Sequence, residues 1–282
     1  MKVRRPAQAG GFYSSDKASL ITQIENCFLH KLGPGKLPKL QEHGERKIVS
    51  AISPHAGYMY SGPVAAHLYY TLAADGVPDT IVLLGPNHYG AGSGLSAMVE
   101  GAWLTPLGQV EIDSDLAKQI CRNSGMIDTD TSAHVSEHSI EVQLPFLQYT
   151  YGSRFRIVPI AMMMQDLESS RNVGESIAAS ISNRNALVLA STDMSHYEPQ
   201  KIAERKDKMV MNALLKMDEE ELQHIVESEN ISMCGYGPVS SAIVVAKLVH
   251  GASARIVSYQ TSGDITGDFG QVVGYMSATI SK

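Results

Sequence analysis

The sequence predicts an α/β fold in which one sheet is covered by helices on both faces. Three observations carry that reading. Compact, β-branched apolar runs recur along the chain, and stretches with helical spacing lie between them. The runs are apolar almost throughout, without the alternation that a strand with one face in water would show. No linker, composition shift or internal repeat divides the chain, so residues 1–282 read as a single α/β/α domain.

The elements follow in order. Asp16 is placed to cap a helix running to about His30, which the glycines and prolines of LGPGKLP then end. KIVSAIS (47–53) reads as a buried strand and Pro63–Ala74 as a helix. DTIVLLG (79–85) is a second strand, followed by the glycine-rich loop YGAGSG. Helices are expected over 113–122 and 138–150, a third strand at FRIVPIAM, a helix over 166–182 and a fourth strand at NALVLAS (185–191). Helices over 199–216 and 218–228 precede CGYGPVSSAIVVAKLV, whose later part is an apolar helix, and SARIVSYQ and QVVGYMSATI close the chain as β segments.

Composition excludes several classes. The net charge is −6, with no block of five like charges, which argues against nucleic acid as a partner. No stretch approaches the ~20 apolar residues of a membrane span, and the N-terminus has no apolar run of the kind a secretion signal carries. The three cysteines, Cys27, Cys121 and Cys234, are dispersed, which points to a reducing, cytoplasmic setting.

The ten histidines are informative by position. Three predicted strands run into one: KIVSAIS into His55, TIVLLG into His88, and ALVLAS into Asp193 and His196. Ligands of open α/β sheets bind at the carboxyl ends of the strands, where side chains from separate strands converge. Imidazoles gathered there suit a metal ion or acid–base chemistry. His134-Val-Ser-Glu137-His138 matches the HxxEH pattern of inverted zinc peptidases. The helix, however, is expected to begin near Ser136, leaving His134 in the preceding loop. That disfavours the peptidase reading, whereas His138, with Glu141, can still face the site. Cys234 stands just ahead of a helix, where the N-terminal dipole is expected to depress its pKa and favour a thiolate. Cys27, Cys121, His30, His43, His67, His224 and His250 have no partner motif and read as packing or surface residues.

Five segments, SPHAGYMYSGPVAA, LLGPNHYG, EHSIEVQLPFL, STDMSHY and MCGYGP, resemble in order and spacing the Memo family, also known as protein B of the AmmeMemoRadiSam system. The resemblance spans the chain from RRPAQAGGFY to GYMSATI. It implies a mixed sheet and a fold similar to the LigB-like class III extradiol dioxygenases, in which two histidines and a glutamate hold Fe(II). On that resemblance His55 and His88 match the histidine ligands, and Cys234 stands where the dioxygenases have glutamate. His138, Asp193 and His196 match the surrounding acid–base and orienting groups. A thiolate ligand shifts preference towards copper, zinc or a differently tuned iron, so dioxygenase activity does not follow from the fold.

The reading that results is a metal-binding, oxidoreductase-like protein, using iron or copper, with zinc as a third candidate, on a small substrate. The alternatives are a non-catalytic module that binds a peptide or small ligand in the same pocket, with Tyr58, Tyr60 and Trp103 as contacts, and a metal-dependent hydrolase. The resemblance also implies a functional link to a radical-SAM protein and a third protein of the same system.

Overall fold

The computed structural model describes residues 2–282. In chain order its elements are β1 (Val3–Arg4), α1 (Lys17–Leu29), β2 (Ile48–Ser53), α2 (Tyr58–Asp75), β3 (Thr80–Pro86), β4 (Leu95–Ala97), β5 (Ala102–Thr105), β6 (Gly108–Glu111), α3 (Ser114–Ser124) and β7 (Asp128–Thr129). A single 3-10 turn, Ser132–His134, precedes α4 (Gln143–Tyr151), β8 (Arg156–Met162), α5 (Leu167–Ile181), β9 (Ala186–Ser191) and β10 (His196–Glu198). The chain ends through α6 (Gln200–Leu215), α7 (Glu219–Ser228), α8 (Tyr236–Leu248), β11 (Ser253–Thr261), α9 (Ser262–Thr266) and β12 (Val272–Ser281).

Nine strands form one mixed sheet in the order β10-β12-β2-β9-β3-β8-β4-β7, with β11 also paired to β12. The centre, β2-β9-β3-β8, is parallel, and β12 joins β2 antiparallel. Every residue of β2 and of β3 is buried. Successive side chains of a strand point to opposite faces, so complete burial requires a layer on each side. One layer is α2 with α1 and α4, lying against β2 and β12. The other is α8 with α5 and α7, lying against β2, β9 and β3. The α/β/α architecture with a mixed sheet is therefore as expected.

Three local readings needed correction. Helix α2 begins at Tyr58, not Pro63, although Pro63 forfeits a backbone donor inside it. Its first turn is held by Gly57 O, which accepts from the N–H groups of Tyr60 and Ser61, and by the Tyr58 hydroxyl, which donates to Val142 O at 2.6 Å. Helix α4 starts at Gln143, not at 138. The Glu137 carboxylate accepts from the N–H groups of His138 (2.9 Å) and Ser139 (2.8 Å), and this stabilises a turn where a helix was expected. The short strands β4 to β6 follow a loop that gave no strand signal, because three- and four-residue strands show too little periodicity to read.

His134 lies in the 3-10 turn, fully buried, with its ring edge-on to Trp103 and neither nitrogen in a well-formed hydrogen bond. It is neither on a helix nor at the strand ends, so the HxxEH spacing does not make a metal pair. Burial, then the Arg4 charge, lower its pKa from 6.5 to about 4. Between those values the unfolded chain binds a proton that the folded chain does not. The stability that neutral His134 confers is complete above about pH 6.5 and is lost as pH falls towards 4. The gap corresponds to about 3 kcal/mol. Denaturant unfolding at pH 7 and pH 4.5 should show His134→Gln losing less stability on acidification than wild type. Equal losses would assign the acid sensitivity to other groups.

Candidate metal centre

β2, β9 and β3 are adjacent and parallel, so their carboxyl ends open on one edge of the sheet. His55 follows β2, Asp193 and His196 follow β9, and His88 follows β3. The turn before α4 delivers His138, and the loop before α8 delivers Cys234. All but Cys234 line a single pocket of about 740 Å³, and Cys234 lies beside His55 at its floor, with its Sγ 3.1 Å from Nε2.

Ligand atoms of His55, His88 and His138 lie within 4.8 Å of one another, which is close enough to hold a metal ion. The His138 ring stacks on His88 (centroids 4.4 Å, 20°) and packs at a tilt against Phe12 (4.6 Å, 32°), and His55 meets both imidazoles edge-on. His138 Nδ1 is buried without a hydrogen-bond partner, 3.4 Å from Glu137 Oε1.

Burial, then the neighbouring imidazoles of His138, His88 and His196, hold His55 well below its ordinary pKa. Burial likewise lowers His138 to about 4, against the pull of the Glu137 charge. Both rings are therefore neutral near pH 7, the form in which imidazole binds a metal. Glu137 is also buried, which opposes its ionisation. Its hydrogen bonds, first from His88 and then from the Ser139 N–H, prevail and hold its carboxyl down at about 2.

That carboxylate orients His88 by accepting from its Nδ1–H (2.9 Å) and its backbone N–H (2.6 Å). Nε2 is left with its lone pair free, as in the carboxylate–histidine pairs of metal sites. Two features thus fit a cation: neutral, converging imidazoles and a carboxylate behind one of them.

Asp193 holds the floor together. Its Oδ1 accepts from His55 N–H (2.8 Å), its own N–H points to Cys234 Sγ (3.2 Å), and its carbonyl accepts from Cys234 N–H (3.3 Å). Burial raises its carboxyl to about 6. His196 donates Nδ1–H to Ser232 O (2.8 Å), which leaves its Nε2 free at the pocket wall.

The expectation of a low-pKa Cys234 is overturned. Burial, then the Asp193 charge, push the thiol well up. A coordinated cation would reverse this, since a ligating thiol is deprotonated.

Several residues fall elsewhere than expected. Trp103 is fully buried beneath Arg4, whose guanidinium lies 4.1 Å from the ring, and Tyr58 is buried in α2, so neither is a ligand contact. Tyr60 does line the pocket, joined by Tyr89, Tyr197 and Tyr275, which carry no local sequence signal. Glu141 faces the N-terminal segment rather than the pocket. Cys27 and Cys121 lie outside the site, and all three cysteines are unpaired.

The loop carrying Asp193 and His196 is braced from behind. Asp207, on α6 and fully buried, accepts from Ser195 N–H (3.0 Å), Ser195 Oγ–H (2.6 Å) and the Tyr259 hydroxyl (2.7 Å). Gly274 passes so close that an added Cβ would overlap Asp207 Oδ2. Gly274→Ala should therefore cost about 1–3 kcal/mol by overpacking, read as a lowered thermal midpoint. An unchanged midpoint would show that the loop moves aside freely.

Fold and site together define a protein with a histidine-rich, metal-competent pocket at the carboxyl ends of a parallel sheet core. The chain belongs to the Memo-like protein family, whose model matches residues 4–279. It is 51% identical to a MEMO1 family protein of Methanopyrus kandleri over 281 residues, covering 99% of each chain. It is 50% identical to another of Methanothermobacter thermautotrophicus over 275 residues, covering 97% of this chain and 98% of that one. Among solved structures, an uncharacterized protein, JW3007, of Escherichia coli K12 superposes with a TM-score of 0.54 at 12% identity, over 84% of this chain and 100% of that one. At that identity the likeness speaks to the fold alone. No helix is long and apolar enough to cross a membrane among the described residues.

Proposed function

We propose that the protein is a redox-metal oxidoreductase acting on a small substrate. The observation that carries this is the set of three imidazoles with ligand atoms within 4.8 Å at the floor of a roomy pocket. His55 and His88 are the constant donors, and Cys234 supplies a thiolate beside His55. Iron or copper suits that donor set, with zinc as the redox-inactive alternative. When bound, such an ion supplies electron transfer and a Lewis-acid contact for the substrate.

The chain's own groups do the rest. His138, held neutral by burial, and His196, whose Nε2 is free of hydrogen bonds, offer ring nitrogens to a proton. Asp193, raised to about 6, can hold or release a proton near neutrality while positioning the His55 backbone. The pocket volume lies within the range of about 300–1,000 Å³ used for small ligands, and its tyrosines offer flat walls for a ring. The unpaired cysteines support a reducing, cytoplasmic compartment.

Protein purified without a histidine tag and titrated with Co(II) and Cu(II) tests the assignment. One ion per chain with a thiolate charge-transfer band, lost in Cys234→Ser, is expected. Binding without that band would transfer the third ligand position to His138. Failure to bind any ion, with a partner peptide still bound, would replace the reading by that of a metal-free recognition module.

A further inference from the structure

We infer that Tyr69, Gln143 and Ser191 form a buried relay that locks His55 in its Nδ1–H tautomer and so leaves Nε2, which faces Cys234 Sγ at 3.1 Å, without a proton of its own. The inference rests on the metal-site reading for its purpose, but not for its geometry.

The assignment follows from counting donors and acceptors. A serine hydroxyl has one hydrogen and two lone pairs. Ser191 Oγ lies 2.6 Å from Ser139 O, and a carbonyl can only accept, so the hydroxyl hydrogen is directed there. Gln143 Nε2, 2.7 Å from the same oxygen, donates into one lone pair.

The orientation of that amide is itself determined. Nε2 also donates to Pro54 O at 3.0 Å, and Oε1 accepts from the Tyr69 hydroxyl at 2.6 Å. Flipping the amide would set Oε1 against the Pro54 carbonyl and against a serine oxygen whose hydrogen is already engaged. One lone pair of Ser191 remains, and His55 Nδ1 faces it at 2.9 Å. Only an N–H can satisfy that contact. In the opposite tautomer two lone pairs would meet.

Water cannot rescue the wrong arrangement. Tyr69, Ser139, Gln143, Ser191 and His55 are each no more than 2% exposed. An unmatched contact here carries the full cost of a buried, unsatisfied group. His55 is thus held by two independent restraints: Asp193 fixes its backbone and Ser191 fixes its ring. His88 reaches the same protonation pattern through a carboxylate, so a neutral relay and a charged one prepare adjacent donors. The three residues are positioning residues, since none touches the pocket.

Long-range 1H–15N correlation of metal-free protein labelled at histidine reads the tautomer directly. Wild-type His55 is expected to show a protonated Nδ1 and a bare Nε2. Ser191→Ala should populate the Nε2–H form and weaken metal binding roughly 10–100-fold, the usual range for a group behind a ligand. Ser191→Thr, which keeps the hydroxyl, should restore both. A merely structural role would lower the thermal midpoint without moving the tautomer.

An Nε2–H His55 in wild type would overturn the relay whatever the metal result. So would a Ser191→Ala protein with unchanged tautomer and affinity. A wild-type protein with the expected tautomer that binds no metal would support the lock and sink the metal reading instead.

Discussion

Replacing either Arg4 or Glu141 by methionine should lower stability by about 3–5 kcal/mol, the cost of stranding one partner of a buried ion pair. The two side chains meet at 2.6 Å and are 5% and 0% exposed. Glu141 also accepts from Ala7 N–H (2.9 Å), Gln8 N–H (2.9 Å) and the Tyr13 hydroxyl (2.6 Å). Arg4 donates in addition to His134 O (2.6 Å) and Glu137 O (2.8 Å). Each single change leaves the other charge in a dry site.

At about 2–4 °C per kcal/mol for a chain somewhat shorter than this one, the thermal midpoint should fall by roughly 10 °C. The double variant Arg4→Met/Glu141→Met should cost clearly less than the sum, since neither charge then stands alone. Single variants within about 1 kcal/mol of wild type would mean that water reaches the pair after all. The clamp also matters to the site. It ties down the segment that lays Phe12 on His138, so the weakened variants should bind pocket ligands less tightly.

His55→Ala or His88→Ala should abolish stoichiometric metal binding. Groups behind a metal ligand are commonly worth about 10–100-fold in affinity, and removing the ligand itself costs more. Both residues belong to the trihistidine cluster and to the set completed by Cys234, so their loss cannot be compensated by choosing between the two. Metal analysis after dialysis, with circular dichroism to confirm folding, provides the measurement. Full occupancy in either folded variant would sink the ligand assignment. His138→Gln and Cys234→Ser then separate the two ways of completing the set. Whichever variant retains its metal identifies the residue that is not a ligand.

Much of this was legible in the residues. The runs at 47–53, 79–85 and 185–191 are short, apolar and β-branched, and each leads directly into a polar cluster. Parallel strands in α/β proteins carry their chemistry at those ends, which puts His55, His88, Asp193 and His196 on one rim from the sequence alone. The turn holding His138 was harder. EHSIEVQLPFL has helical spacing, but with two N–H groups captured by the Glu137 side chain the helix starts at Gln143, five residues later than expected. A side-chain cap competes with helix on nearly equal terms, and periodicity does not reveal which prevails.

The sequence by itself determined the class of fold, the rim on which the histidines stand and the family to which the chain belongs. Those depend on hydrophobic pattern and on local order along the chain. Tertiary structure alone decided what each titratable group became. Glu137, part of an HxxEH spacing in the sequence, became the anchor of His88, and Glu141 became half of a clamp 137 residues away in sequence from Arg4. Cys234, expected to be acidic at its helix terminus, became a suppressed thiol among buried neighbours. Ser191 and Gln143, silent in sequence, were placed behind His55. Desolvation and hydrogen-bond partners arise from contacts between distant segments, and no local pattern encodes them.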